Sequence, residues 1–257
     1  MMRKWKDWIG TVVLLLAVCS ATEAGAQTPE SDSGFAQLYH SGQSAMAAGK
    51  YDEARSAFEQ LEKINTSVAE VHSTLGVLCY KLGDFNRAIE EIRAARKLKP
   101  GLPGLDALLS LSLAESDKSR EALPGLEKAF RSGADPEVKR QAGLELANVY
   151  TKLSMDRRAV EVALELRDLY KNDPEVLYTV GKILGNSAYL TMQDLFHGSG
   201  SSVWARLAEA EAHESQEQFA DAIKSYRSVL KIDPHRANVH YRMGRTDLAQ
   251  WQSSHSP

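Results

Sequence analysis

Apolar and small side chains recur in the same order in two segments that lie 134 residues apart. In the first segment, Phe85, Ala88, Ile89 and Ile92 occupy positions i, i+3, i+4 and i+7, and the second segment repeats this order from Phe219. Such spacing places the four side chains on one face of a helix. Each segment is therefore predicted to be an amphipathic helix that ends before the proline following it.

Small residues extend this pattern along most of the chain with a period of 34 residues. Two series carry the period: Ala54, Ala88 and Ala122 in one, and Gly42, Gly76 and Ser110 in the other. A period of this length is typical of stacked helical hairpins, because a single hairpin cannot bury both of its faces and needs neighbours. We therefore predict an all-α fold, an α-α superhelix of stacked antiparallel helix pairs.

The small side chains have a packing role in this prediction, because they allow two helix backbones to approach closely. A large side chain at such a position is expected to push the helices apart. The predicted helix-packing positions are Gly42, Ala54, Gly76, Ala88, Ala95, Ala122, Ala129, Ala147, Ala159, Gly181, Ala210, Ala222 and Gly244.

Segment 69–102 has Gly76, Gly83, Phe85 and Ala88, followed by Pro100, at the positions where tetratricopeptide repeats have small residues, an aromatic residue and a proline. The sequence resembles that family. The resemblance implies a solenoid over residues 35–236, with units at about 35–68, 69–102, 103–136, 140–173, 174–202 and 203–236. The unit at 174–202 is five residues short, and we expect a short second helix there and a flexible Gly/Ser loop at 198–202.

Both ends of the chain differ from the repeats. Residues 1–26 start with basic side chains, continue with a short apolar run and end at Ala24-Gly25-Ala26, an order typical of a cleavable signal peptide. The apolar run is shorter than the roughly 20 residues that a membrane-spanning helix needs. Residues 27–34 are predicted to be a flexible linker, and residues 237–257 a C-terminal capping helix followed by a loose tail.

The N-terminal segment predicts an exported protein, periplasmic or extracellular, and exported solenoids of this kind resemble bacterial envelope proteins. One alternative stays open. Lipidation of Cys19, or a first segment that is not cleaved, would make the chain a membrane-attached assembly factor.

Composition and motifs do not indicate catalytic chemistry. The net charge of −3 argues against nucleic acid as a partner. The sequence contains no P-loop, no H-E-x-x-H pair and no G-x-S-x-G elbow. We interpret the seven histidines as ordinary surface residues and Cys79 as a buried, inert thiol. We therefore predict no enzyme activity, no metal site and no cofactor; a ligand-binding or enzymatic site built from scattered groove residues is the alternative.

The family resemblance further implies that the first helices of the units line a concave groove, in which a protein or peptide partner lies. Aromatic and methionine side chains suit such a surface. By family position, the groove residues are Tyr39, Gln43, Met46, Ser73, Val77, Tyr80, Asn148, Tyr178, Lys182 and Trp204. Some family members clamp a terminal carboxylate with Lys and Asn, but the matching positions here are Tyr39, Gln43, Thr74, Gly104 and Leu108, so we expect no such clamp.

Overall fold

The computed structural model describes residues 29–132 and 135–255, and this part of the chain is helical without strands. The predicted signal peptide, residues 1–26, lies outside the described residues. The helices are α1 (Pro29–Ala47), α2 (Tyr51–Ile64), α3 (Ala69–Lys81), α4 (Phe85–Leu98), α5 (Leu105–Glu115), α6 (Ser119–Arg131), α7 (Pro136–Lys152), α8 (Asp156–Leu169), α9 (Pro174–Ser199), α10 (Val203–Ser215), α11 (Phe219–Ile232) and α12 (Val239–His255). The all-α prediction is confirmed.

The chain divides into two compact units, Met1–Ile183 and Leu184–Pro257. In the first unit, α1 pairs with α2, α3 with α4, α5 with α6 and α7 with α8, and each pair also packs against the next. In the second unit, α11 packs against both α10 and α12. This order of neighbouring helix pairs is that of a tetratricopeptide solenoid.

Local sequence signals begin and end these helices. Gly83 has φ of 80° in the turn between α3 and α4, a left-handed conformation that glycine adopts without strain. The next residue, Asp84, accepts a hydrogen bond from the backbone N–H of Arg87 and so caps α4. At the other end, α4 stops at Leu98, two residues before Pro100.

Small residues lie where paired helices approach most closely. A Cβ atom on Gly76 would lie 2.7 Å from Cγ1 of Ile92, and one on Gly42 would lie 2.7 Å from Cε2 of Phe58, so neither position has room for a side chain. The alanines of the packing set are all buried: Ala54, Ala88, Ala95, Ala122, Ala129, Ala147, Ala159, Ala210 and Ala222. Gly143 of α7 is equally tight, because a Cβ there would lie 2.6 Å from the Phe130 ring, and the sequence pattern did not single it out.

Gly181 and Gly244 do not have the packing role expected of them. Both are exposed, and a Cβ on either would meet no atom within 4 Å. The reason is that the second helix of a hairpin covers the glycine of the first, as Ile92 covers Gly76. Helix α9, which carries Gly181, is one continuous helix of 26 residues, and α12, which carries Gly244, is the last described helix.

Three segment boundaries also differ from expectation. The unit at 174–202 is not a helix pair with a loop at 198–202, because α9 continues through the expected turn to Ser199. Most of the expected linker at 27–34 is helical, because α1 begins at Pro29. The expected loose tail is shorter than predicted, because α12 reaches His255.

A buried ionic network joins the first hairpin of the chain to the second. His72 of α3 places Nδ1 2.6 Å from Oε2 of Glu91 on α4, and its Nε2 lies 2.9 Å from the backbone oxygen of Thr66. Arg87 forms ion pairs with both Glu91 and Glu62, at 2.5 and 3.2 Å. Since both ring nitrogens of His72 face oxygen acceptors, the geometry fits the doubly protonated imidazolium. His72 is buried, so interpreting it as a surface histidine was wrong.

The surroundings of His72 raise its pKa above the ordinary value. Burial acts in the opposite direction, but the hydrogen bonds to Glu91 and Thr66 and the charges of Glu91 and Glu62 outweigh it. A histidine whose pKa is raised by folding stabilises the protein fully below the unfolded pKa of about 6.5. This stabilisation is lost as the pH rises through the higher pKa of the folded state.

We expect His72→Gln to lower the free energy of unfolding by about 1.5–3 kcal/mol at pH 6, because Glu91 loses the charged ring that forms a hydrogen bond with it. The loss should be smaller at pH 9, because the stabilisation by the charged ring decreases as the pH rises. Urea denaturation at both pH values measures the difference. The exposed His40 supplies the control, since His40→Gln should change stability little at either pH. An equal cost of His72→Gln at both pH values would contradict the charged network.

Adding one methyl group should have opposite effects at two helical glycines of the first unit. Gly76→Ala should destabilise the fold by about 1–3 kcal/mol, because the new Cβ collides with Ile92. Gly181→Ala should stabilise it by about 0.5–1 kcal/mol, because alanine favours an open helix and meets no neighbour. Urea denaturation of the two variants checks the pair, and a stabilising Gly76→Ala would refute the close approach of the helices.

Candidate functional site

Three of the predicted groove residues are core residues in the structure. Ser73, Val77 and Tyr80 of α3 are only 1%, 3% and 5% exposed. Helix α3 packs against α2, α4 and α5, so almost every face of it is covered. The structure therefore assigns these side chains to packing between helices, which corrects the expectation that they offer surface to a partner.

The predicted groove residues of α1 are half-buried. Tyr39 meets the ring of Phe58 edge-on, with 5.7 Å between the ring centroids. Met46 packs against the same apolar cluster, whereas Gln43 is partly open to solvent. These side chains join the core of the first hairpin and keep only part of their surface accessible.

The predicted groove residues of the later helices are the most accessible. In the first unit, Tyr178 is 69% exposed, and the ammonium group of Lys182 lies 5.6 Å from its ring centroid, a cation–π distance. In the second unit, Trp204 is 58% exposed, and the guanidinium group of Arg236 lies 4.0 Å from its ring centroid. Each unit thus presents an aromatic ring beside a cationic side chain.

Ion pairs join the start of α9 to α7. Arg140 of α7 is nearly buried, and it lies 2.9 Å from Asp173 and 2.5 Å from Glu175. Arg140 also pairs with Glu137 on its own helix at 3.1 Å. The pKa of Asp173 is lowered, mainly by its hydrogen bond to Arg140. These contacts hold the first turn of α9 next to α7. Tyr178 lies about one turn further along α9.

A group of polar side chains lies on one face of α7, beside the end of α5. We call Glu115, Gln141, Glu145 and Asn148 the Glu145 cluster. Nε2 of Gln141 lies 3.4 Å from Oε1 of Glu145, and the side chain of Asn148 favours the ionised form of the same carboxyl group. Burial raises the pKa of Glu145 to about 7, and the charge of Glu115 adds to the rise, against the opposing effects of Lys152 and Asn148.

Two buried polar atoms have no hydrogen-bond partner among the described residues. One is Oγ of Ser73, and the other is Oε1 of Gln141, a residue that is 9% exposed. An unsatisfied buried acceptor costs about 1–3 kcal/mol. The amide nitrogen of Gln141, by contrast, contacts Glu145.

Two further groups of reactive side chains serve the fold. The possible ligand atoms of Glu62, His72 and Glu91 lie within 4.8 Å of one another, a spacing that would suit a metal ion. Arg87, however, bonds to both carboxylates, and His72 faces Glu91 as an imidazolium, so the arrangement is an ion-pair network. Burial raises the pKa of Cys79 to about 11, which keeps the thiol protonated at neutral pH.

Sequence reasoning found Asn148 but missed Glu115, Gln141 and Glu145. These three residues belong to no linear motif, because two helices bring them together across 30 positions of the chain. Glutamates on repeat helices were expected on solvated faces. The partial burial of Glu145 depends on the packing of α5 against α7, which the pattern does not specify.

Among residues 29–132 and 135–255, no helix is both long enough and apolar enough to cross a membrane.

Comparisons with known protein families identify repeats in two segments of the chain. Residues 39–103 and residues 203–236 each match a family model described as tetratricopeptide repeat. No curated protein matches the sequence.

Several solved structures are similar to the chain. PilF of Pseudomonas aeruginosa is 18% identical, with 84% of this chain and 99% of that chain covered and a TM-score of 0.49. YrrB, described as a TPR protein with an unusual peptide-binding site, is 18% identical, with 72% and 97% covered and a TM-score of 0.42. MamA of AMB-1 is 17% identical, with 80% and 95% covered and a TM-score of 0.49.

The repeat matches coincide with hairpins that the structure forms. The first spans α2, α3 and α4 together with part of α1, and the second spans α10 and α11. In both segments the small residues of the pattern, Ala54, Ala88, Ala210 and Ala222, are fully buried. Residues 39–103 and 203–236 of this chain are therefore tetratricopeptide repeats.

Proposed function

We propose that the chain is an exported, non-catalytic scaffold that binds a protein or peptide partner along the first helices of its repeats. The tetratricopeptide repeat fold supports a role in protein–protein interaction. Groove binding by α7 and α9 and export from the cytoplasm are the specific parts of the proposal.

The main support for groove binding is that Tyr178 and Lys182 are accessible on the part of α9 that follows the Arg140 ion pairs. The contact of Arg140 with Glu175 holds the start of α9 against α7. Tyr178 follows Glu175 by about one helical turn, and Lys182 follows it by about two. Together with Asn148 of α7, they offer an aromatic surface and both donors and acceptors, the groups that recognise a peptide backbone and its side chains.

The order of residues in the first 26 positions supports export. Basic, apolar and small residues follow one another there as in a secretory signal. The mature protein would then begin at Gln27 and contain Cys79 as its single cysteine. A scaffold without disulfides would depend for its stability on the packing and ion pairs of its helices.

Peptide binding by the groove can be tested with ligands selected on the protein itself. Twelve-residue peptides enriched from a phage-displayed random library should bind the purified protein, with Kd measured by fluorescence anisotropy. We expect Tyr178→Ala to weaken binding about tenfold, or by about 1.4 kcal/mol, because a large accessible ring is removed. Asn148→Ala and Lys182→Ala should weaken it less.

Glu165 supplies the control, because it is exposed on α8, a second helix. Glu165→Ala should leave the Kd within about twofold of wild type, and all variants should keep the wild-type circular dichroism spectrum. Failure to enrich any peptide, or equal binding by all variants, would contradict peptide recognition by this groove.

Export predicts a defined N-terminus for the mature protein. Expression of the full sequence in a bacterial host, followed by periplasmic extraction and intact-mass spectrometry, should give a chain that starts at Gln27. A mass that includes residues 1–26 would instead favour an uncleaved anchor. A chain that starts at Cys19 with added acyl groups would favour a lipoprotein, and either result would refute a cleaved, unattached protein.

A further inference from the structure

We propose that α9 pairs with α9 of a second copy of this chain, so that the two helices run antiparallel and form a symmetric dimer. Each copy thereby supplies the second helix that the unit at 174–202 of the other copy lacks. The inference does not depend on peptide binding in the groove. It assigns an occupant to a helix face that the described part of the chain leaves accessible.

Hairpins in both units of the chain share one contact between their two helices. A small residue of the first helix meets a large side chain that lies sixteen positions later, on the second helix. A Cβ atom on Gly76 would lie 2.7 Å from Cγ1 of Ile92. In the second unit, Ala210 and Tyr226 belong to one buried cluster. A first helix of this type therefore packs through its small residue against a large side chain of another helix.

Both sides of this contact occur on α9, but they cannot meet within one helix. The first half carries Gly181, the counterpart of Gly76, and a Cβ there would meet no atom within 4 Å. The second half carries Tyr189, Met192 and Phe196 at positions i, i+3 and i+7, and these side chains are 61%, 47% and 44% exposed. Because α9 is one continuous helix, its second half cannot cover its first half.

The accessible face of α9 has small residues before its midpoint and large residues after it. In chain order, the residues of this face are Gly181, Gly185, Ala188, Tyr189, Met192 and Phe196. They lie within about 100° around the helix, so their common face follows from helical spacing alone. A Cβ on Gly185 would meet no atom within 4 Å, and Ala188 is exposed, so the small half is as open as the large half.

An antiparallel pair brings the small half of one copy opposite the large half of the other. With the two-fold axis at the midpoint of the face, Phe196 of each copy lies opposite Gly181 of the other. In the same way, Met192 lies opposite Gly185. Each large side chain then enters a space where the facing helix has no side chain, as in the hairpins of the chain. The face is therefore complementary to itself, as the interface of a two-fold dimer must be.

Charges do not oppose this pairing. The six positions of the face carry no charged side chain. Asp194 lies on the far side of the helix, and Lys182 lies at the edge of the face. Tyr178 comes one turn before the face, opposite the end of the second copy's helix, and so stays at the rim of the contact. An uncharged face that is complementary to itself favours a second copy over a charged peptide.

Self-association tests the pairing directly. Sedimentation equilibrium of the full chain should show a reversible equilibrium between monomer and dimer. We expect a dissociation constant in the micromolar range, because one pair of helices buries less surface than a permanent dimer does. A monomer at the highest soluble concentration would overturn the proposal.

Two substitutions should weaken the dimer for different reasons. Phe196→Asp should weaken association by about tenfold or more, because it places a charge in the apolar contact. Gly185→Leu should also weaken it about tenfold, because the new side chain fills the space that Met192 of the second copy enters. Unspecific apolar association would instead become tighter with the added leucine. An unchanged or tighter dimer of Gly185→Leu would therefore overturn the proposed contact.

Tyr241 supplies the matched control for Phe196. It is an aromatic residue of the second unit that is 70% exposed on α12. Tyr241→Asp should leave the dissociation constant within about twofold of wild type, as expected of a surface position outside the contact. All variants should keep the wild-type circular dichroism spectrum, and Gly185→Leu alone decides if Phe196→Asp does not fold. Equal losses in Tyr241→Asp and Phe196→Asp would refute the assignment to α9.

Disulfide cross-linking checks that the two helices are antiparallel. Gly185→Cys and Met192→Cys are made separately in a chain with Cys19→Ser, in which the remaining Cys79 is buried. A mixture of the two variants should form cross-linked dimers under mild oxidation, because the two positions face each other across the pair. Each variant alone should not, since its two cysteines lie about 10 Å apart along the helix axis. No cross-link in the mixture, or a cross-link in either variant alone, would overturn the antiparallel pairing.

Discussion

Close approach between paired helix backbones is the constraint on which this protein depends. At Gly76 and Gly42 the facing side chains of Ile92 and Phe58 leave no room for one additional carbon atom. Each hairpin is therefore narrow, and the next hairpin can cover its remaining apolar face. The same constraint explains the exceptions, since no side chain of a following helix covers Gly181 on the continuous helix α9 or Gly244 on α12, the last described helix.

Ionic networks add specific ties to this packing. One network joins α2, α3 and α4 through His72, Arg87, Glu62 and Glu91. In another, Arg140 joins α7 to the start of α9. In the second unit, Glu214 of α10 accepts hydrogen bonds from Tyr226 of α11 at 2.5 Å and from Arg242 of α12 at 2.8 Å. Buried charges are stable only when several partners satisfy them, and these networks meet that condition.

Glu145 differs from these networks, because it forms no ion pair with any residue that the structure describes. Its neighbour Gln141 has an acceptor without a donor in the same part of the chain. Burial and the charge of Glu115 disfavour the ionised form of Glu145, whereas the carboxylates of the networks are paired with cationic side chains.

The sequence alone determined the helical hairpins, their period and most of their tight contacts, because those depend on the local spacing of small and apolar side chains. It could not determine which family-predicted groove positions are open, since Ser73, Val77 and Tyr80 occupy such positions and are nonetheless covered by adjacent helices. It also could not show that α9 runs on as one helix, because a helix pair and a long helix share the same apolar spacing over a short unit. Only the tertiary structure brought the charge of Glu115 near Glu145 and left the oxygen of Gln141 without a donor among the described residues, because burial and electrostatic environment arise from residues far apart in the chain.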